Sequence, residues 1–370
     1  MAAKKFFKKV VPVNVSTEGA MSLIRKCVLT FIAACFYYSG LVKLARWWTK
    51  RSGQYLVILN YHRAIGGDLR RHLLYLRRHY RILHLEAALE ELYRPPKERN
   101  WKQDQYTPLV LTFDDGYHDN YTDGFVLARE LQIPITIFLI PGYIESGDYF
   151  WWGEGTRLVQ RTQVDEVTIE GRHYCLKRPH ERKVLAQAID MYLRNATSVA
   201  EREAFLACVR KLLVVQSTKI PEEEPALPLT WAEIQQMEES EWVSFGAHTM
   251  SHPILTYLTE PIEIEREIRE CRTKLEQHLR HPVRTFAYPV GQPQHVSEAV
   301  LHTVKQAGYD WAVTTIHGFN TPRSDPYLLR RIEVDVCQHW LVVAAEAAGL
   351  WGFFSSLRRI PIVRKYFTGI

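Results

Sequence analysis

Leu109-Val-Leu-Thr-Phe-Asp-Asp-Gly-Tyr117 decides how this chain of 370 residues is read, because a run with the pattern of a buried strand stops abruptly in two adjacent carboxylates. Packing gives no reason for Asp114 and Asp115, since two like charges side by side away from water are costly unless a cation or a set of donors offsets them. The plain alternative is a turn in which Asp-Asp-Gly merely ends the strand. Well downstream, Gly246-Ala-His-Thr-Met-Ser-His252 supplies two imidazoles four residues apart, a spacing that predicts both on one side of a helical turn. One carboxylate with two histidines makes a three-ligand site for a divalent cation, with positions left for water and substrate.

Apolar segments near residues 55–60, 109–113, 135–140, 242–246, 284–288 and 311–315 alternate with stretches of helical period, such as Ile262 to Leu279 and Ser297 to Ala307. That alternation predicts an α/β fold of parallel strands joined by crossover helices. Reactive residues at the ends of several strands point to a barrel with its active site on the C-terminal rim, although an open doubly wound sheet has the same order of elements. About 148–230 reads as an insertion, opening on Asp148-Tyr-Phe-Trp-Trp152 and closing on Ile220-Pro-Glu-Glu-Glu-Pro-Ala-Leu-Pro228, with a helical middle from Glu181 to Val214.

Thr112-Phe-Asp-Asp-Gly116, His248-Thr-Met-Ser-His252 and Phe286-Ala-Tyr-Pro-Val-Gly291 resemble, in order, three motifs of the polysaccharide deacetylases, the NodB-homology carbohydrate esterases. The resemblance runs roughly from Tyr55 to Val336. It implies an incomplete (β/α)7 barrel and a metal-dependent hydrolase that removes acetyl groups from N-acetylated sugars, or less often from a sugar hydroxyl. It also implies one divalent ion, zinc first, with nickel, cobalt or iron as alternatives. By position, Asp114 matches the catalytic base and Asp115, His248 and His252 the metal ligands, while Val290 matches the residue whose backbone N–H helps hold the oxyanion.

Two departures from the common pattern matter. Ala287 stands where many members carry an arginine that orients the base, and no Leu-x-His segment near the C-terminus offers a general acid. In a branch that resembles exopolysaccharide N-acetylglucosamine deacetylases, the acid histidine lies upstream on the first strand. Tyr55-Leu-Val-Ile-Leu-Asn-Tyr-His-Arg63 fits that description, which makes His62 the expected general acid. Arg331, in Leu328-Leu-Arg-Arg-Ile332, is the candidate to replace the missing arginine, against the plainer reading of an arginine after a strand in a surface ion pair. Tyr117, Tyr288, Trp151 and Trp152 are candidate sugar contacts, and the two tryptophans serve equally well as a local core for the insertion.

The net charge of +6 is unevenly spread: ten Lys/Arg face one Glu in residues 1–51 and four face one Glu in 346–370, so the ends carry +9 and +3 and the body −6. A body of that sign argues against nucleic acid as a partner and for basic ends that meet an anionic surface. Cys27 to Val42 is a run of 16 residues without a charge, bracketed by Arg25-Lys26 and Lys43 and followed by Trp47-Trp48. It reads as an uncleaved membrane segment, spanning or in-plane, with the side of the membrane undetermined. Leu350 to Phe367, aromatic and basic, reads as a second interfacial segment. The six cysteines show no C-x-x-C spacing, so none is expected to bind metal. Three organisational units follow: residues 1–51, a catalytic barrel over 52–345, and 346–370. Two function classes remain, a membrane-associated sugar deacetylase acting on a polymer or a lipid-linked glycan, and a glycan- or lipid-binding module that no longer turns over.

Overall fold

A computed structural model describes residues 18–52, 55–94, 106–215 and 226–350. Its strands are β1 (Val57–Tyr61), β2 (Arg81–Ile82), β3 (Pro108–Phe113), β4 (Ile135–Leu139), β5 (Glu166–Ile169), β6 (Arg172–Cys175), β7 (Val243–Ala247), β8 (Thr285–Ala287), β9 (Trp311–His317) and β10 (Leu329–Glu333). Seven of them pair in parallel in the order β1, β3, β4, β7, β8, β9, β10, and β10 returns to β1 through Leu59 opposite Ile332. The sheet is therefore a closed barrel, which excludes the open doubly wound alternative. Short β2 adds at the entry of β3, on the edge that β1 does not use.

Parallel strands covered on both faces read as unbroken apolar runs, and β1, β4 and most of β3 are buried throughout. Parity then sorts their side chains. Ile58, Val110, Phe138, Ala287, Val313 and Leu329 pack together inside the barrel over Leu85, Ala88, Leu89 and Leu92 of the helix Leu85–Tyr93, which closes one end. Val57, Leu59, Leu109, Leu111, Ile135 and Ile137 face the surrounding helices. The same period of two places Asn60, Thr112 and Arg331 in the interior, above that apolar layer. Gly246 is needed there, because a Cβ would stand 2.5 Å from the Phe138 ring.

Two expectations change and one open choice is decided. The seventh strand is β10, and Arg331 lies inside it, fully buried, which removes the alternative of a surface ion pair. The insertion holds the expected helices, Pro179–Arg194 and Val199–Leu212, and also an antiparallel hairpin of β5 and β6 whose short, half-exposed strands left no long apolar run to read. The apolar N-terminal run is bent. Helices Glu18–Tyr38 and Leu41–Ser52 meet at Gly40 (φ +83°), and among the described residues no single helix is long and apolar enough to cross a membrane; the pair passes that test only together, bent by 72°. One face of the pair docks on the barrel through Ala33, Val42 and Tyr37, whose ring meets Trp340 edge-on at 5.1 Å. Boundaries at 51 and 345 thus fall inside the packed helices Leu41–Ser52 and Trp340–Ala347. Most of the expected C-terminal interfacial segment, residues 351–370, lies outside the described residues.

Candidate active site

Every residue expected to do chemistry sits at the C-terminal end of a barrel strand or inside the barrel just below it. Asp114 and Asp115 follow β3, His62 follows β1, His248 follows β7, and Val290 follows β8. Asp115 Oδ1 lies 3.5 Å from His248 Nε2 and 3.6 Å from His252 Nε2, and all three residues are buried. His248 Nδ1 donates to the Ala287 carbonyl at 2.7 Å, which fixes the tautomer and leaves the Nε2 lone pair facing Asp115.

This donor set fits a metal ion. Asp115 Oδ1 is buried with no hydrogen-bond partner and faces the Nε2 atoms of both histidines, an arrangement that costs free energy unless a cation meets it. The spacings come close to the ~3.3 Å edge of a tetrahedron with ligands about 2.0–2.1 Å from zinc. Burial, partly opposed by His62 and reinforced by Asp114, pushes the Asp115 carboxyl up to about 7. Burial takes His248 down to about 4 and His252 well below its ordinary value, so both imidazoles are neutral, the form that ligates. Among the described residues no other His, Cys, Asp and Glu cluster has such spacing, and the described cysteines are all free thiols.

Asp114 is treated differently. Arg331, from inside β10, grips it with Nη1 on Oδ1 and Nη2 on Oδ2, both at 2.7 Å, and Asn60 Nδ2 adds a third bond to Oδ2 at 3.0 Å. Arg331 is itself held by Thr314 O, Asn60 Oδ1 and Thr112 Oγ1. Burial alone raises the pKa of Asp114. The Arg331 charge and the paired hydrogen bonds outweigh it and hold the carboxyl well below the usual carboxylate range.

The histidine pair is not on a helix. His252 (φ +57°) and Thr249 (φ +65°) are left-handed residues in a loop, and Pro253 disfavours the helical conformation for His252. His252 N–H donates to Thr249 Oγ1, while the Glu267 carboxylate takes Ser251 N–H and Oγ–H and Arg202 donates to Ser251 O. Asp115 (φ +74°) and Val290 (φ +60°) are also left-handed, so four of the eight non-glycine residues with positive φ among those described belong to these motifs. Strain of this kind persists only where surrounding contacts over-determine it.

Of the aromatic candidates, Trp152 is at the site: its ring lies 4.5 Å from that of His252, and its Nε1 donates to Tyr117 Oη at 2.7 Å. Trp151 is buried in the insertion's own core with Phe150, Leu158 and Leu185, and its Nε1 donates to the His252 carbonyl, so it supports the loop rather than offering a face to a ligand. Tyr288 is likewise buried, with its hydroxyl committed to Tyr327 O. Tyr117 is buried under the Arg63 guanidinium, 4.5 Å from its ring centre. Asn60, Arg63, Asp119 and Asn120 were not singled out from sequence. Asp119 takes Arg63 Nε–H and the Ala64 N–H, and Asn120 donates to His62 O, so together they fix the loop that carries His62. For Asn60 a signal existed, an amide at the end of an otherwise apolar strand.

The fold and site define a class, that of (β/α)-barrel enzymes with a carboxylate and two histidines converging at the rim. A family profile described as polysaccharide deacetylase matches residues 102–312. With more than half of its length matched, the chain belongs to the polysaccharide deacetylase family. His62 and Arg331 both lie outside the matched stretch. Among solved structures, IcaB from Ammonifex degensii is 17% identical over 80% of this chain and 98% of that one, with a TM-score of 0.51, which shows a shared fold. A Streptococcus pyogenes deacetylase, PplD, in complex with acetate (17% identity, 76% and 93% covered, TM-score 0.48) and the BpsB deacetylase domain of Bordetella bronchiseptica (14%, 76% and 97%, 0.48) are also similar. No curated protein sequence matches the chain significantly.

Proposed function

We propose that the chain hydrolyses the acetamido group of N-acetylated amino sugars in a polysaccharide or lipid-linked glycan, using one divalent metal ion. The observation that carries this reading is the division of labour between adjacent carboxylates. Asp115 presents an unpartnered oxygen to two neutral imidazoles, while Asp114 is clamped by Arg331. Asp115, His248 and His252 would hold a cation such as zinc, which when bound would supply polarisation of the acetyl carbonyl and a lower pKa for water.

The remaining work belongs to side chains. Asp114 has about four lone-pair sites, three of them taken by Arg331 and Asn60, which leaves one to accept the proton of the attacking water. Its low pKa keeps it ionised, the form that accepts a proton. The Val290 N–H is offered to the oxyanion, its left-handed backbone setting the direction of that N–H. His62 gives its proton to the departing nitrogen, so that water adds to the acyl carbon, the C–N bond breaks, and acetate and amine leave. Trp152 provides an aromatic face for a sugar ring.

We place this chemistry at a membrane surface, on the N-terminal helix pair. Its undocked face exposes Ile24, Val28, Phe31, Tyr38, Leu41 and Leu44 beside Lys26 and Lys43, the composition of an in-plane amphipathic segment. The test of function is acetate release from N-acetylglucosamine oligomers and lipid-linked amino sugars, with and without a chelator. Release only from O-acetylated sugars makes the protein an esterase. Binding of these glycans without release from any metal-loaded preparation makes it a binding module.

A further inference from the structure

The insertion grips the loops of two of the three candidate ligands, while the barrel holds the third. His248 N–H donates to Leu139 O at 2.9 Å and its ring to Ala287 O, both at the ends of barrel strands. His252 is held differently. The Ser251 carbonyl just before it accepts Arg202 Nη1 at 3.0 Å, and its own carbonyl accepts Trp151 Nε1, also at 3.0 Å. Both donors come from the insertion, Arg202 from the helix Val199–Leu212 and Trp151 from the entry segment. Both are buried, with the guanidinium carbon 5.8 Å from the centre of the Trp151 ring. Where the insertion ends, its chain runs back along the turn that follows Asp115: Leu229 N–H donates to Gly116 O at 2.9 Å, and His118 N–H to Leu227 O at 2.7 Å.

Two rigid peptide planes flank the His252 Cα, and φ and ψ are the rotations between them. Holding the Ser251 and His252 carbonyls therefore fixes the backbone of His252, and with it the direction in which the imidazole leaves the chain. That hold is needed, because His252 sits at φ +57°, a conformation that a residue with a side chain abandons unless its surroundings impose it. Glu267 secures the Ser251 N–H and hydroxyl, one peptide earlier, and the His252 carbonyl is left to Trp151. We propose that the insertion is a positioning element for the metal ion: Arg202 and Trp151 keep His252 in its ligating direction, the exit segment steadies the turn bearing Asp115, and metal affinity depends on these contacts. The inference rests on the metal-ligand reading above and adds to it the device that keeps the ligands assembled. An insertion that only covered the glycan would act on KM and leave metal affinity untouched.

The test titrates the full-length protein, stripped of metal, with cobalt(II), whose visible absorption reports binding and ligand geometry without any turnover. Arg202→Met and Trp151→Phe each remove one donor to the loop, and each should raise the cobalt dissociation constant by about 10–100-fold, the range for losing a group that orients a metal ligand. Arg202→Lys keeps a charged donor and should recover part of the affinity. Trp151→Phe deletes the indole N–H while keeping an aromatic ring, so it carries the test if Arg202→Met does not fold. Arg210→Met breaks an ion pair with Glu154 inside the insertion and serves as the control for general loosening, with cobalt binding expected at wild-type strength. Unchanged cobalt affinity in either folded variant overturns the proposal, even if KM for the glycan rises, and so does equal weakening in Arg210→Met. Failure of wild type itself to bind cobalt overturns the metal-site reading and this inference with it, an outcome distinct from equal binding by wild type and variants, which overturns this inference alone.

Discussion

Arg331→Met should destabilise the protein and disable it for separable reasons. The guanidinium is fully buried and makes both of its 2.7 Å contacts to a carboxylate that is itself only 2% exposed. Removing one partner of a buried pair costs about 3–5 kcal/mol, because the other charge is left without compensation. At roughly 2–4 °C per kcal/mol for a domain of this order, the melting temperature should fall by on the order of 10 °C. Burial then acts on Asp114 unopposed, its pKa rises, and the acid limb of the activity profile moves to higher pH. Arg331→Lys keeps the charge but not the planar fork, and should recover only part of both losses. Asp114→Asn should cost less stability in the Arg331→Met background than in wild type, because the two changes remove one interaction. Thermal melts, metal content and acetate release against pH are the measurements. A melting temperature within about 1 °C of wild type, together with an unmoved acid limb, would refute the argument, since no loss near the buried-pair range would then exist.

Other outcomes follow from the same site. The Asp115 carboxyl is raised to about 7 in the folded protein against about 3.9 unfolded, so its contribution favours folding below pH ~4 and is lost as pH rises toward 7. The depressed Asp114 works oppositely, contributing above pH ~4 and failing as pH falls further. Chelated protein should therefore melt progressively lower from pH 5 to 7, and added zinc should raise the melting temperature more at pH 7.5 than at pH 5; an equal increment at both would contradict the ligand role of Asp115. Asp114→Asn should keep the metal and lose turnover, and His62→Ala should keep the metal and slow hydrolysis by about 10²–10⁴-fold; metal loss in either variant would show the roles to be misassigned. Phe31→Ser/Leu44→Ser, on the exposed face of the N-terminal helices, should weaken flotation with anionic vesicles while leaving the melt unchanged, and undiminished flotation would place the membrane contact elsewhere.

What the sequence made legible followed from strong local rules. Six barrel strands were visible because parallel strands buried on both faces are apolar throughout, and the three motifs lie at their ends. Arg331 was half-seen. Its strand, Leu-Arg-Arg-Ile-Glu, carries three charges in five residues and reads as surface, since nothing local announces that one arginine will meet a carboxylate 217 positions earlier. The His-x-x-x-His spacing suggested a helix, yet the loop owes its shape to Glu267 and Arg202, which tertiary packing delivers. Trp151 and Trp152 were indistinguishable in sequence, and only the docking of the insertion assigns one to its core and the other to the site. The charge-free run from Cys27 to Val42 hid its kink, because Gly40 alone does not say whether a helix continues or turns.

The ring of strands closes where β10 meets β1, joining Leu59 to Ile332 across most of the chain. His62 and Asn60 come from the first of these strands and Arg331 from the last, while Asp114 waits between them. A nascent chain therefore carries Asp115, His248 and His252 well before it has the arginine that pairs with Asp114. Until that final strand arrives, the carboxylate resists burial, the loop bearing His62 has only one edge to rest on, and no hydrolytic assembly exists. Topological completion and the pairing of Asp114 become one event, late and non-local, so a truncated or misthreaded copy of this chain should lack the clamped carboxylate from the outset.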